Sequence, residues 1–142
     1  GPYVFGGRRG PGASAHVHRR VVTRLGRTVA VKLLRPDSAR DPQFQARFKR
    51  EAQSVAALNH PSIVAIYDTG EHTVPDGSDD SVRVPYIVME FVEGRTIRDL
   101  IRAKEVSIDQ AIDFCLGVLS ALEYSHKAGI VHRDIKPANL ML

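Results

Sequence analysis

An acid, an amine, a guanidinium and an amide fall within eight residues in His132-Arg133-Asp134-Ile135-Lys136-Pro137-Ala138-Asn139, between the apolar pairs Ile130-Val131 and Leu140-Met141. Apolar runs on both sides of a polar turn suggest a loop pinned at each end. A pinned loop holds its side chains still, as catalysis requires. These residue types fit transfer of a phosphoryl group from a magnesium-bound nucleotide to a hydroxyl. Asp134 could accept the hydroxyl proton, Lys136 could sit on the transferred oxygens, and Asn139 could offer its amide oxygen to the magnesium ion. A surface turn assembled by chance is the bland alternative, and five specified positions at fixed spacing argue against it.

The elements that would position this loop are legible upstream. Residues 3–34 read as strands broken by the glycine-rich turn Gly10-Pro11-Gly12, whose glycines let backbone N–H groups come close to phosphates. Val29-Ala30-Val31-Lys32-Leu33-Leu34 alternates as a strand, placing the small Ala30 on the same face as the Lys32 amine. Asp41-Pro42 signals a helix start, with the acid as N-cap and proline at the first helical position. Phe44, Phe48, Val55 and Leu58 then form one stripe, and Glu51 falls within it. An acid on a buried face needs a cation, and Lys32 is the candidate partner. Residues 63–68 and 85–92 read as strands with a mobile surface loop, 73–83, between them. A short helix is expected over 97–103. A longer one is capped by Ser107, carries the stripe Ile108, Ile112, Cys115, Leu119 and Leu122, and ends at Gly129 in a left-handed C-cap.

Composition bounds the rest. The 142 residues are 43% hydrophobic and 25% charged, a globular balance, and contain no apolar run of bilayer-spanning length. Cys115 is the one cysteine, so no internal disulfide can form, and its place in an apolar pattern makes it a packing residue. The net charge is +4, with Arg19, Arg20, Arg24 and Arg27 crowded together. Without interleaved aromatics these read as a solvated hairpin face, not a nucleic-acid surface. His16 and His18 share one strand face; two ligands without a third leave a metal site open, so surface histidines are the expectation.

The string from His132 to Asn139 resembles the H-R-D-x-K-x-x-N catalytic loop of eukaryotic-like (Hanks-type) protein kinases, and the lysine two residues after the acid resembles the Ser/Thr-specific branch. Gly10 to Val17 is similar to that family's G-x-G-x-x-G-x-V loop, with Ala15 in place of the third glycine and Arg9 where an apolar residue is common. Val29 to Lys32 resembles V-A-I-K. Arg50-Glu51-Ala52-Gln53, Leu58-Asn59-His60-Pro61, Tyr67-Asp68-Thr69-Gly70 and Tyr86-Ile87-Val88-Met89-Glu90 look most like the receptor-type Ser/Thr kinases of actinobacteria.

The resemblance implies an α+β, protein-kinase-like fold: a five-stranded antiparallel N-lobe sheet with one αC helix over residues 1–92, then the first helices and catalytic loop of a helical C-lobe over 93–142. It implies an ATP-dependent protein Ser/Thr kinase using ATP and Mg2+, with protein hydroxyls as substrates. Asp134, Lys136, Lys32 and Glu51 would be catalytic, with Glu51 orienting Lys32. Gly10, Gly12, Val17, Ala30, Lys32, Met89, Glu90, Val92 and Met141 would hold the nucleotide, Asn139 the metal, and Arg133 would be regulatory, pairing with a phosphorylated activation loop. It further implies a cytoplasmic kinase domain in a membrane-anchored parent, a homodimer through the back of the N-lobe near Asp68, no nucleic-acid partner, and a longer catalytic domain without which these residues are inactive. A non-catalytic kinase-like module, suggested by Arg9 and Ala15, is the rival reading. A small-molecule phosphotransferase is a third, disfavoured by Arg133 and Lys136.

Overall fold

The computed structural model describes residues 3–4, 8–11, 15–75, 77, 81–132 and 135–142, with side chains described from residue 23 onward within that set. Two compact units emerge: residues 1–57 with 65–91, and residues 58–64 with 92–142.

The first unit is an antiparallel sheet with one principal helix. Its strands are β1 (Tyr3–Val4), β2 (Arg8–Pro11), β3 (Ala15–Thr23), β4 (Thr28–Leu34), β5 (Ile66–Pro75) and β6 (Ser81–Glu90). The order is β1-β3-β4-β6-β5, and β2 also pairs with β3. Six strands are described where five are expected, because β1 and β2 each pair with β3. The turn from β3 to β4 closes on Gly26 at φ 75°, a backbone shape that side chains disfavour. Arg24 and Arg27 are exposed on this turn, as expected of a solvated hairpin face, and Arg27 stacks 4.1 Å above the Tyr67 ring.

The strand β4 is central, and its alternation organises the core. Val29 and Val31 pack with Val88 on one face, while Leu34 joins Ala39, Phe48, Ala52, Val84 and Ile87 on the other. Helix α2 (Pro42–Ala56) begins as the sequence suggests: Pro42 is at the first position and the Asp41 carboxylate accepts the Gln43 N–H at 2.9 Å. A one-turn helix, α1 (Pro36–Ala39), precedes it. The buried line on α2 is Phe48–Ala52, and Phe44 is exposed. The mobile loop expected over 73–83 is instead mostly hairpin, because Val74 pairs with Val82 and His72 with the buried Val84.

The second unit contains α3 (Ile97–Arg102), α4 (Ile108–Lys127) and a single 3-10 turn, Pro137–Asn139. Thr96 caps α3 by accepting the Asp99 N–H. Ser107 and Gln110 cap α4 reciprocally, Ser107 Oγ accepting the Gln110 N–H and Gln110 Oε1 the Ser107 N–H, which satisfies two orphan donors. Gly129, at φ 79°, supplies the left-handed exit, and the Ile130 N–H returns to the Ser125 carbonyl at 2.9 Å. Residues 58–64 pack against α4 although they follow α2 in sequence. The Asn59 N–H donates to Tyr124 Oη at 3.0 Å, His60 Nε2 lies 3.3 Å from Ser120 Oγ, and the His60 and Tyr124 rings are 5.3 Å apart. The Ser62 N–H donates to His60 Nδ1, so the proton of the neutral ring sits on Nε2. Of the expected α4 stripe, Ile108, Ile112, Cys115 and Leu119 are exposed and Leu122 is half-buried. Cys115 is therefore not a packing residue in this chain, since no described element covers that face of α4.

Candidate active site

The expected site residues divide between the units. In the first, β4 is read through its register. Lys32 stands opposite Val17 on β3 and Ile87 on β6, while Ala30 stands opposite Met89. Cross-strand partners and residues two apart share a face. Ala30, Lys32, Ile87 and Met89 therefore line one side of the sheet, the side on which α2 packs Phe48 and Ala52 against Ile87. Ala30 is buried and Lys32 is half-buried, so a small side chain adjoins an amine at the edge of the packed core. Gly10 lies in β2, while Gly12 lies outside the described residues. Met89 and Glu90 close β6. The Glu90 N–H donates to the Ala65 carbonyl at 2.8 Å and the Glu90 carboxylate accepts the Ala65 N–H at 3.1 Å, which fixes the exit from the strand.

Glu51 is not where the stripe suggested. It is exposed on α2, and among the described residues no ion pair joins it to Lys32. The reason is angular: Phe48 and Ala52 face the sheet, and three residues beyond Phe48 is a rotation of about 300°, which leaves Glu51 on the flank. The other flank is held by polar contacts that carry no sequence signature. Gln45 Nε2 donates to the carbonyls of Ala39 and Arg83, and Lys49 pairs with Glu71 on β5. The hydrogen bond from Lys49 and its positive charge hold the Glu71 carboxyl below the usual carboxylate value. Arg83 adds a more distant cation, 3.8 Å from Glu71. Gly70 beside it has a packing reason, because a Cβ there would lie 2.4 Å from the Tyr86 ring.

In the second unit, Arg133 and Asp134 lie outside the described residues, while Lys136 precedes the 3-10 turn and Asn139 ends it. The Asn139 N–H donates to the Lys136 carbonyl at 2.9 Å, so the amine and the amide are one tight turn apart. The turn is anchored from behind. The Ile97 N–H donates to the Leu140 carbonyl at 2.8 Å, the Leu142 N–H to the Arg95 carbonyl at 3.0 Å, and Thr96 bridges Met141. This clamp closes over Gly94, where a Cβ would lie 1.9 Å from the Leu142 carbonyl oxygen. Val92 is half-buried and Met141 exposed. Gly94 went unrecognised as a site-supporting residue because only the close approach of a distant backbone reveals it.

Chemically, in the first unit the Lys32 amine beside the small, buried Ala30 suits a phosphate-bearing ligand, and in the second the Asn139 amide offers an oxygen of the kind hard cations take. Among the described residues, no group of three or more His, Cys, Asp and Glu side chains could hold a metal on its own. No helix among them is long and apolar enough to cross a membrane.

Comparison with known proteins identifies the family. A sequence model of the protein kinase domain matches residues 3–142. A probable serine/threonine-protein kinase of Streptomyces coelicolor is 57% identical over 143 aligned positions, covering 100% of this chain and 20% of that protein. The serine/threonine-protein kinase PknB of Mycolicibacterium smegmatis is 50% identical, covering 99% of this chain and 22% of its own length. This chain thus spans about a fifth of the curated relatives it matches. Among solved structures, the kinase domain of Mycobacterium tuberculosis PknI superposes with a TM-score of 0.79 at 30% identity, covering 99% of this chain and 55% of that one. Rad53 residues 1–466 in complex with AMP-PNP gives a TM-score of 0.83 at 30% identity, covering 99% and 35%.

Proposed function

Because this chain belongs to the protein kinase domain family, we propose that its parent protein transfers the γ-phosphoryl group of ATP to Ser and Thr hydroxyls of other proteins. The observation that carries this is the register of β4, which sets Ala30 opposite Met89 and Lys32 opposite Val17 and Ile87, together with the Lys136–Asn139 turn. We read residues 1–92 as the nucleotide-covering lobe and 93–142 as the start of the substrate lobe.

In the reaction, the substrate hydroxyl oxygen forms a bond to the γ-phosphorus as the bond from that phosphorus to the β,γ-bridging oxygen breaks. Asp134 takes the hydroxyl proton. Lys136 neutralises charge on the transferred oxygens, and Lys32 grips the α- and β-phosphates. Glu51 orients Lys32 once the two are brought together. Gly10, Gly12 and Val17 cover the nucleotide, Ala30 leaves room for its base, and Met89, Glu90, Val92 and Met141 line the base's pocket. Asn139 would hold Mg2+, which supplies charge stabilisation on the phosphates. Replacing Asp134 with Asn in the full-length kinase should nearly abolish turnover while leaving ATP affinity unchanged; unchanged turnover would remove Asp134 as the base.

Two further assignments belong to the same proposal. Arg133 receives a phosphorylated activation loop, the dianion meeting its guanidinium through charge-assisted hydrogen bonds. The parent also forms a homodimer through the back of the sheet. Support comes from a groove of about 330 Å3 lined by Thr23, Leu25, Arg27, Tyr67 and Val88, with Leu25 96% exposed at its rim and Asp68 paired in register with Val88. The kinase domain lies on the cytoplasmic side of the membrane that anchors the parent, where ATP is supplied.

A further inference from the structure

Besides its apolar Phe48–Ala52 line, helix α2 is held to the sheet, among the described residues, by polar contacts on one flank. Relative to the middle of the Phe48–Ala52 line, Lys49 and Gln45 lie about 80° and 40° to one side and Glu51 about 80° to the other, at 100° per residue. Lys49 is drawn to Glu71 on the edge strand β5, and Gln45 to the Arg83 carbonyl on β6. Pulling that flank towards β5 rolls the opposite flank away from the sheet. Glu51 is on the opposite flank, exposed and, among the described residues, without an ion pair to Lys32.

We propose that the Lys49–Glu71 ion pair is an autoinhibitory latch, which holds α2 rolled so that Glu51 cannot reach Lys32. The inference rests on the reading of Glu51 as the residue that orients Lys32. Release of the latch lets α2 roll about the Phe48–Ala52 line, which is apolar and tolerates rotation better than a polar contact. The latch is accessible from outside: the Lys49 and Glu71 side chains keep 46% and 32% of their surface. Salt, a competing anion on Lys49 or a competing cation on Glu71 therefore opens it. Exposed ion pairs of this kind couple weakly, so the device biases a population and does not lock it.

The test uses the full-length kinase after phosphatase treatment, with initial rates of peptide phosphorylation at saturating ATP. Lys49→Met and Glu71→Gln should each raise the basal rate, by up to about fivefold for a coupling of this strength. Glu71→Gln should have the larger effect because it also removes the carboxylate near Arg83. The exchanged pair, Lys49→Glu with Glu71→Lys, should bring the rate back towards wild type. Raising the ionic strength should stimulate wild type more than Lys49→Met. A parallel Glu51→Gln variant separates the two ways of failing. If Glu51→Gln is nearly inactive but the single latch variants are unchanged or slower, the latch is overturned and the role of Glu51 stands. If Glu51→Gln is fully active, the role of Glu51 fails and the latch loses its output with it.

Discussion

Gly94 is the position at which a single methyl group should do the most damage for its size. Its α-carbon faces the backbone of Leu142, and an added Cβ would lie 1.9 Å from that carbonyl oxygen and 2.9 Å from the carbonyl carbon. Neither atom is the end of a flexible side chain, so Gly94→Ala must push the two backbone segments apart. The segments are joined by the Arg95 N–H to the Leu142 carbonyl at 3.3 Å, the Leu142 N–H to the Arg95 carbonyl at 3.0 Å, and the Ile97 N–H to the Leu140 carbonyl at 2.8 Å. Losing two of these at about 1 kcal/mol each, with some added strain, gives a cost of about 2–3 kcal/mol. Local opening of the clamp should then become about 30- to 160-fold more frequent, at 1.36 kcal/mol per decade. Hydrogen exchange in the full-length kinase should show this as lost protection at the Ile97 and Leu142 amides. Turnover should fall as well, because the clamp backs the turn carrying Lys136 and Asn139. Unchanged protection at both amides would refute the steric reasoning, and lost protection with full turnover would refute the link from clamp to catalysis.

Glu71 gives a pH dependence with a definite sign. Its carboxyl is held below the usual value by the Lys49 hydrogen bond and charge, so its stabilising effect is present above the unfolded value and is lost as pH falls through the folded one. The difference in thermal stability between wild type and Glu71→Gln should therefore be constant above about pH 5 and shrink below about pH 4; a difference that grows on acidification would reverse the assignment. Phosphatase treatment of the full-length kinase should lower its activity, and Arg133→Ala should make it insensitive to that treatment. Sedimentation of the kinase should show a monomer–dimer equilibrium that Leu25→Asp weakens by at least tenfold; monomer at all concentrations in wild type would remove the dimer.

Local signals with one geometric solution were legible from the residues alone. Asp41-Pro42, Ser107 and Gly129 each satisfy terminal backbone groups of their own helix, and nothing distant competes with them. The alternation of Val29 to Leu34 placed Ala30 and Lys32 on a shared face for the same reason. Positions that depend on a partner's placement were not legible. Glu51 sits at an offset that a heptad count includes in the apolar stripe, yet α2 turns Phe48 and Ala52 inward, and the flank contacts of Gln45 and Lys49 decide the rotation. The hairpin over residues 72–84 was hidden by its Pro, Asp, Gly and Ser content, although Val74, Val82 and Val84 carry its period of two. Gly94 and Gly70 owe their identity to Leu142 and Tyr86, which no local pattern connects to them.

The packing of residues 58–64 on α4 gives the chain a schedule for synthesis. Asn59 and Tyr124, whose hydrogen bond anchors that segment, are 65 positions apart. At about 5–20 residues per second, the segment waits some 3–13 seconds for its partner to be made. The sheet needs no such wait, because its last strand ends at Glu90, before α3 begins. Newly made chains thus pass through a period in which the sheet is complete while Asn59 and His60 still lack Tyr124 and Ser120, their partners on α4. Slow translation between codons 91 and 124 should lengthen the exposure of this short segment to chaperones and proteases, and fast translation there should shorten it.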